Sequence, residues 1–303
     1  MAFFNEDWFR IMIRDKVKVR LADRGGHLDG TMMKGDGHAG EIKFPRIGND
    51  LQAYEITNTI QPVRDRGVQL DTISVKLRDF ELPILISQID MKRDETGMLK
   101  DSVAKVMTKA IRRKRDDIKW EALTLFAENV ADVKKHDKSA SVIDLLDTRK
   151  MRSYVAAHGD DDEGEMFLPL PASAFDQLMM YKEFSNADYV GPSDLPFAMS
   201  GRSRRKTREG VHYFECPDRL FGIDPTQPEA NDPATFDTFC WSMECMGCET
   251  EWDQELPKFY ERPDLEGTPI MAKVNLSTAA VGIEPRGVVR GRFKFDRDLV
   301  RPA

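Results

Sequence analysis

Cys216, Cys240, Cys245 and Cys248, with His212 close by in sequence, are the side chains best suited to chemistry in this polypeptide. Cys245 and Cys248 form a C-x2-C pair, a spacing at which two thiolates can grip one tetrahedral zinc ion. A second such pair would specify a metal site; here a C-x4-C step precedes the single pair. The competing reading is four reduced, partly buried thiols beside Phe239, Trp241 and Trp252, because unbridged cysteine packs as a small hydrophobe. That reading is the expectation, with no metal assigned.

His27, Asp29, Asp36 and His38 supply two imidazoles and two carboxylates, a donor set for a hydrolytic metal. Such a centre needs its ligands on rigid elements. Gly25, Gly26, Gly30, Gly35, Gly37 and Gly40 argue instead for a flexible connector. The acidic run at 160–165 lacks the alternate spacing of a calcium loop and reads as a solvated turn. Arg202, Arg204, Arg205, Lys206 and Arg208 form the strongest basic cluster, in a stretch that reads as loop. Guanidinium groups there can meet phosphate or a neighbouring carboxylate. Aromatic interleaving, which favours single-stranded nucleic acid, is missing, so an inter-subunit or lumenal role is expected. Arg112, Arg113, Lys114 and Arg115 carry the same ambiguity. With no P-loop, G-x-G-x-x-G, G-x-S-x-G or H-E-x-x-H, neither a catalytic residue nor a cofactor is expected.

The chain has 303 residues, 41% of them hydrophobic and 32% charged, which is the composition of a folded globular protein. Its formal charge of −7 argues against a surface that grips nucleic acid throughout, so DNA contact is expected to be local. No apolar run approaches the ~18 residues of a membrane helix. The opening residues lack a cationic stretch before an apolar one, and with few cysteines this predicts a soluble chain in a reducing cytoplasm.

The elements that would position these residues follow from periodicity. Residues 1–24 alternate with a period near two, as an extended arm or edge strand. Residues 41–48 and 68–78 alternate apolar with polar side chains and predict a long hairpin, with a mixed, polar connection at 49–67. A two-stranded ribbon is marginal in water alone, so the hairpin is expected to need a partner surface. After an apolar run at 80–89 the period changes. Leu99, Val103, Val106, Ala110, Ile118, Ala122, Leu125 and Phe126, with Met107 and Ile111 beside them, predict one amphipathic helix of roughly thirty residues. Its central Arg112 to Asp117 turn is expected to be solvated or salt-bridged. A second helix is expected over Ser141 to His158, a buried strand over Met166 to Pro171, and a short helix over Ala172 to Lys182. Residues 185–235 read as loop with one strand near Val211 to Phe214, and strand-like alternation returns over 270–283 and 287–295. The whole is an α+β pattern.

In this order the elements resemble the HK97-type major capsid protein of tailed double-stranded DNA bacteriophages. The resemblance rests on three passages. One is Ile86-Ser87-Gln88-Ile89-Asp90 leading through Asp101 and Ser102 to Lys119-Trp120-Glu121-Ala122-Leu123. Another is Phe167-Leu168-Pro169-Leu170-Pro171 before Phe175-Asp176-Gln177-Leu178. The close, Ala280-Val281-Gly282-Ile283 with Gly287-Val288-Val289-Arg290, is the third.

The resemblance implies an N-terminal arm at 1–35, an extended loop at 36–78, and a peripheral domain with a spine helix at 79–140. It implies an axial domain at 141–264, and peripheral-domain strands again at 265–303. Residues 216–264 do not map onto the common core and read as an insertion. The implied partners are further copies of the chain in hexamers and pentamers, a separate scaffolding protein, a portal and packaged double-stranded DNA. The implied place is the virion capsid, assembled in the bacterial cytoplasm, with no membrane. The alternatives are an encapsulin-like nanocompartment shell and a zinc-binding nucleic-acid-binding protein.

Overall fold

The computed structural model describes residues 25–38, 40–47, 70–89, 98–157, 165–185, 205–224, 232–253 and 257–299. Residues 1–24, the whole hairpin connection at 49–67, the acidic run up to residue 164, and Arg202 and Arg204 lie outside them. In chain order the elements are β1 (Met33–Lys34), β2 (Asp36–His38), β3 (Glu41–Ile47), β4 (Leu70–Lys76), β5 (Arg78–Ile86) and α1 (Met98–Asn129). Then come β6 (Lys134–Lys138), α2 (Leu145–Ala156), β7 (Met166–Leu170), α3 (Ala172–Met179), α4 (Lys182–Ser185), β8 (Arg205–Arg208) and β9 (Val211–Glu215). The last are β10 (Thr235–Ser242), β11 (Met246–Asp253), β12 (Lys258–Glu261), β13 (Ile270–Gly282) and β14 (Val288–Lys294).

Three sheets result. A six-stranded sheet runs β6-β14-β10-β7-β9-β8, a five-stranded sheet runs β1-β11-β13-β12 with β5 on the other side of β13, and β2-β3-β4 form a third. Sheet membership does not follow the boundary expected at 264. β11, inside the stretch read as axial, pairs with β13 from Met246↔Gly282 to Asp253↔Leu276. β14, read as peripheral, pairs instead with β10 and β6 in the six-stranded sheet. The chain crosses between sheets in the short turn Met243–Cys245.

The main core lies under the six-stranded sheet, where Trp241, Phe239, Phe214, Phe175, Phe184 and Phe293 are almost wholly enclosed. Each such side chain contributes about 1.5–3 kcal/mol relative to exposure. β7 is buried at every position, as its unbroken apolar run predicts. β10 and β11 arise from the stretch left unmapped in the sequence.

α1, at 32 residues, matches the predicted spine, but its apolar stripe is displaced. Met107, Ile111, Ile118, Leu123 and Ala127 are the buried positions, while Val106 and Leu125 are exposed. The first half packs on the five-stranded sheet through Met107, Ile111, Ala272, Val274 and Leu276. The second half joins the main core through Leu123 and Ala127. Trp120 sits edge-on to Phe221 and to Phe239, each at 5.1 Å. A helix that changes partner midway presents a different face to each sheet, and a single stripe drawn from periodicity averages the two.

α2 begins at Leu145 rather than Ser141 because Asp144 stops the chain in an extended conformation and closes a capping box with Asp147. The Asp147 carboxylate accepts the Asp144 amide at 3.2 Å.

The predicted hairpin forms, with β3 and β4 in register from Glu41↔Lys76 to Ile47↔Leu70. Its root, contrary to the expectation of an unsupported ribbon, packs on the same chain. Ile42 and Phe44 are fully buried with Ala279 and Ile283. Arg46 reaches Glu284 at 2.6 Å. The Phe44 ring occupies the space where side chains at Gly35 and Gly247 would stand, so both positions require glycine for this close approach.

Candidate functional site

The segment expected to be a flexible connector is docked on the middle of α1. Gly25 lies with φ +69° against the backbone of Arg112 and Arg113, where a Cβ would collide. The Asp116 carboxylate, wholly buried, accepts the amides of Gly26 at 2.7 Å, His27 at 3.1 Å and Leu28 at 3.2 Å. Lys119 donates to the Leu28 carbonyl at 3.1 Å and to Asp29 at 2.7 Å. Arg115 reaches Asp29 at 2.6 Å. The central turn expected to be solvated or salt-bridged is salt-bridged at Arg115, yet it also holds the helix's one fully buried carboxylate among its described residues.

Burial pushes the Asp116 carboxyl above its ordinary value, against amide hydrogen bonds that favour the charged form. At Asp29 burial acts the same way, but Lys119 and Arg115 outweigh it and hold the carboxyl below the usual range. Asp29 is thereby an ion-pair partner rather than a metal ligand. The side chains of Asp36 and His38 lie outside the described residues.

Of the basic cluster, Arg205, Lys206 and Arg208 lie on β8, an outer strand of the six-stranded sheet, and not in a loop. Arg205 stacks over Phe214 at 5.5 Å and donates to the His27 carbonyl at 3.4 Å. Lys206 is buried, its ammonium 5.0 Å from the Phe184 ring centre. Arg208 lies 3.5 Å from Glu209. All three meet groups of their own chain. The opposite outer strand, β6, carries Lys134, Lys135 and Lys138. Charged outer strands resist further strand pairing, so this sheet is closed to edge-to-edge extension.

The four cysteines are all buried and unbridged. Burial pushes the Cys240 thiol up to about 12 and raises Cys248 as well, which leaves both protonated and poor ligands. His212 is engaged by Thr207 at 2.7 Å and stacked on Phe167. Among the described residues no three His, Cys, Asp or Glu side chains converge as a metal-binding group.

Four of the exposed large apolar groups, Leu85, Ile89, Tyr260 and Leu265, lie at one end of the five-stranded sheet. Tyr260, Met271 and Leu85 stand in one row across β12, β13 and β5. Their neighbours Phe259, Ala272 and Ile84 face α1, so the row points the other way. Leu85 is 56% exposed and Tyr260 45%. Ile89, just past β5, is 62% exposed, and Leu265 in the β12–β13 turn is exposed too. Thr268 of that turn donates to Gln88 at 3.0 Å, which ties the two segments together. Sequence reading missed this row because alternation alone does not say which face of a strand is covered. It also missed Asp116, although an aspartate between four basic residues and Lys119, after a glycine pair upstream, was a visible signal.

The architecture is shared with known proteins. The capsid of Ralstonia phage GP4 is similar at a TM-score of 0.65 and 9% identity, covering 94% of this chain and 96% of that one. The capsid of the cyanophage P-SCSP1u is similar at 0.64 and 10%, covering 93% and 92%. The capsid of a native GTA particle is similar at 0.59 and 10%, covering 93% and 94%. These likenesses carry the α+β, HK97-type fold. No curated protein matches the sequence. The family model described as phage capsid protein matches residues 6–294, so this chain belongs to the phage capsid protein family.

Proposed function

We propose that this protein is the major subunit of an icosahedral phage head, joining other copies of itself as hexamers and pentamers around packaged double-stranded DNA. The observation that carries the reading is the family match over residues 6–294. The row of exposed Leu85 and Tyr260 with half-buried Met271 between them supports it, because clustered apolar groups of this kind suit contact with a further protein surface. Many weak contacts of this size hold a shell by avidity. We assign the chain a structural task and no catalysis.

In this reading residues 1–35 are the arm and 36–78 the extended loop, whose root is fixed on its own chain and whose outer part reaches a neighbour. The five-stranded sheet with the first half of α1 forms the peripheral unit. The six-stranded sheet, including β14, forms the axial unit. Arg202, Arg204 and the exposed face of Arg205 take an inter-subunit or lumenal role. A separate scaffolding protein and a portal complete the assembly in the bacterial host cytoplasm. Among the described residues no donor set converges to support the zinc reading.

Electron microscopy of the purified protein, alone and with its co-encoded scaffold, tests the proposal. Closed shells of uniform diameter are expected. A monomer that stays monodisperse under both conditions would overturn it, and shells that load protein cargo but never DNA would favour a nanocompartment.

A further inference from the structure

The stretch from Gly25 to Lys34 touches three bodies in succession. Gly25, Gly26 and Leu28 lie on α1 between Arg112 and Lys119. The carbonyls of His27 and Thr31 accept from Arg205 on β8 and from the Trp241 indole on β10, the latter at 2.9 Å. Met33 and Lys34 then pair in parallel with Gly247 and Cys248 on β11. The strap thus binds the helix, the six-stranded sheet and the five-stranded sheet in turn.

Its crossing point is where α1 changes partner. Ile111, on one side, packs on the five-stranded sheet, and Leu123, on the other, belongs to the core of the six-stranded sheet. The grip combines receiving side chains on strap backbone with the strap's own side chains, Leu28 and Met32 buried in the main core and Asp29 paired with Arg115 and Lys119. Asp116 satisfies three amides at once and is enclosed by doing so. Rotating one sheet against the other would have to break these bonds to a buried carboxylate.

We propose that residues 25–34 are a clamp that fixes the angle between the two sheets, with Asp116, Lys119, Arg205 and Trp241 as its positioning residues. This rests on the shell reading for its consequence: identical subunits close at a curvature set by their own shape, so a loosened clamp broadens the range of shell diameters.

Two variants test it. Asp116→Ala removes the central acceptor, and Gly25→Val forces the strap away from the helix at its first residue, leaving every receiving side chain in place. Amide exchange between residues 26 and 31 rises about tenfold or more in both, while β7 and β10 keep wild-type protection. Shells built from either variant spread in diameter where wild-type shells do not. Unchanged exchange in Gly25→Val, or a freed strap with wild-type shell diameters, would overturn the clamp. Wild-type protein that forms no shells would count against the shell reading, and the exchange measurement would still decide whether the strap is gripped.

Discussion

The Nε2 atom of His136 lies 3.0 Å from a carboxylate oxygen of Asp147, with both side chains almost wholly buried. The contact ties the outer strand β6 to the first turn of α2. Asp147 also receives Lys138 at 2.6 Å and the Asp144 amide at 3.2 Å, so one carboxylate serves a strand, a cap and an edge lysine. Asp147→Ala leaves the buried imidazole without this acceptor and opens the capping box. A loss of about 2–4 kcal/mol is expected from the unmade buried bond and the cap together. Urea unfolding measures it, with Leu146→Ala on the exposed side of the same turn as the control. A loss no larger than that control shows would mean the pair is incidental.

Gly247 meets Phe44 so closely that any side chain there displaces the ring. Gly247→Ala is expected to cost about 1–3 kcal/mol through overpacking. Phe44→Leu in the same chain should recover part of that loss, since the smaller side chain vacates the space. Thermal unfolding of the two single variants and the double variant gives the coupling. Strict additivity would show that the glycine is needed for some other reason.

These two contacts also mark what sequence could reveal. The hairpin and the spine helix are legible because each keeps a period over many residues, and β7 because its short apolar run is unbroken. The docking of β3 was not, because alternation shows that a strand has a covered face and says nothing about whose surface covers it. β6 carries Lys134, Lys135 and Lys138 around a single buried His136, so no hydrophobic pattern announced it. Its place as a parallel partner of β14 is a long-range pairing, from Val289↔Lys134 to Phe293↔Lys138. The charged neighbours of Asp116 predict a solvated or salt-bridged group and not a buried one. Its burial depends on a glycine pair about ninety residues upstream, a tertiary fact that local charge cannot encode.

Acid should weaken the fold through two ion-paired carboxylates. At Asp237 burial opposes the charged form, but Arg292 and Arg290 outweigh it and hold the carboxyl below its ordinary value. Arg290 reaches it at 2.6 Å and Arg292 at 2.8 Å. Asp29 is lowered in the same way. A depressed folded value means stability that is present above the ordinary carboxylate value near 4 and lost as pH falls through the folded value. Asp116 has the opposite sign, its contribution being present in acid and lost as pH rises through its raised value. The thermal midpoint should therefore fall between about pH 5 and pH 3, and Asp237→Asn should flatten that fall. An acid limb of unchanged slope in the variant would exclude Asp237 as a cause.

The row of Leu85, Met271 and Tyr260 separates folding from assembly. On the free chain these groups meet water on the face away from α1, so replacing them removes little from the folded state. Leu85→Lys and Tyr260→Lys should each stay within about 0.5 kcal/mol of wild type in unfolding. In the proposed shell another copy would cover these groups, and enclosing one such side chain is worth about 1.5–3 kcal/mol. Each substitution also asks a lysine to give up water at that contact. Because 1.4 kcal/mol is a factor of ten in an association constant, either variant should raise the concentration needed for shells to form about tenfold or more. Light scattering across a dilution series reads that threshold directly. Variants that fold normally and assemble at the wild-type threshold would show that this end of the five-stranded sheet stays uncovered in the particle, and the contacts between copies would then have to lie on other surfaces of the chain.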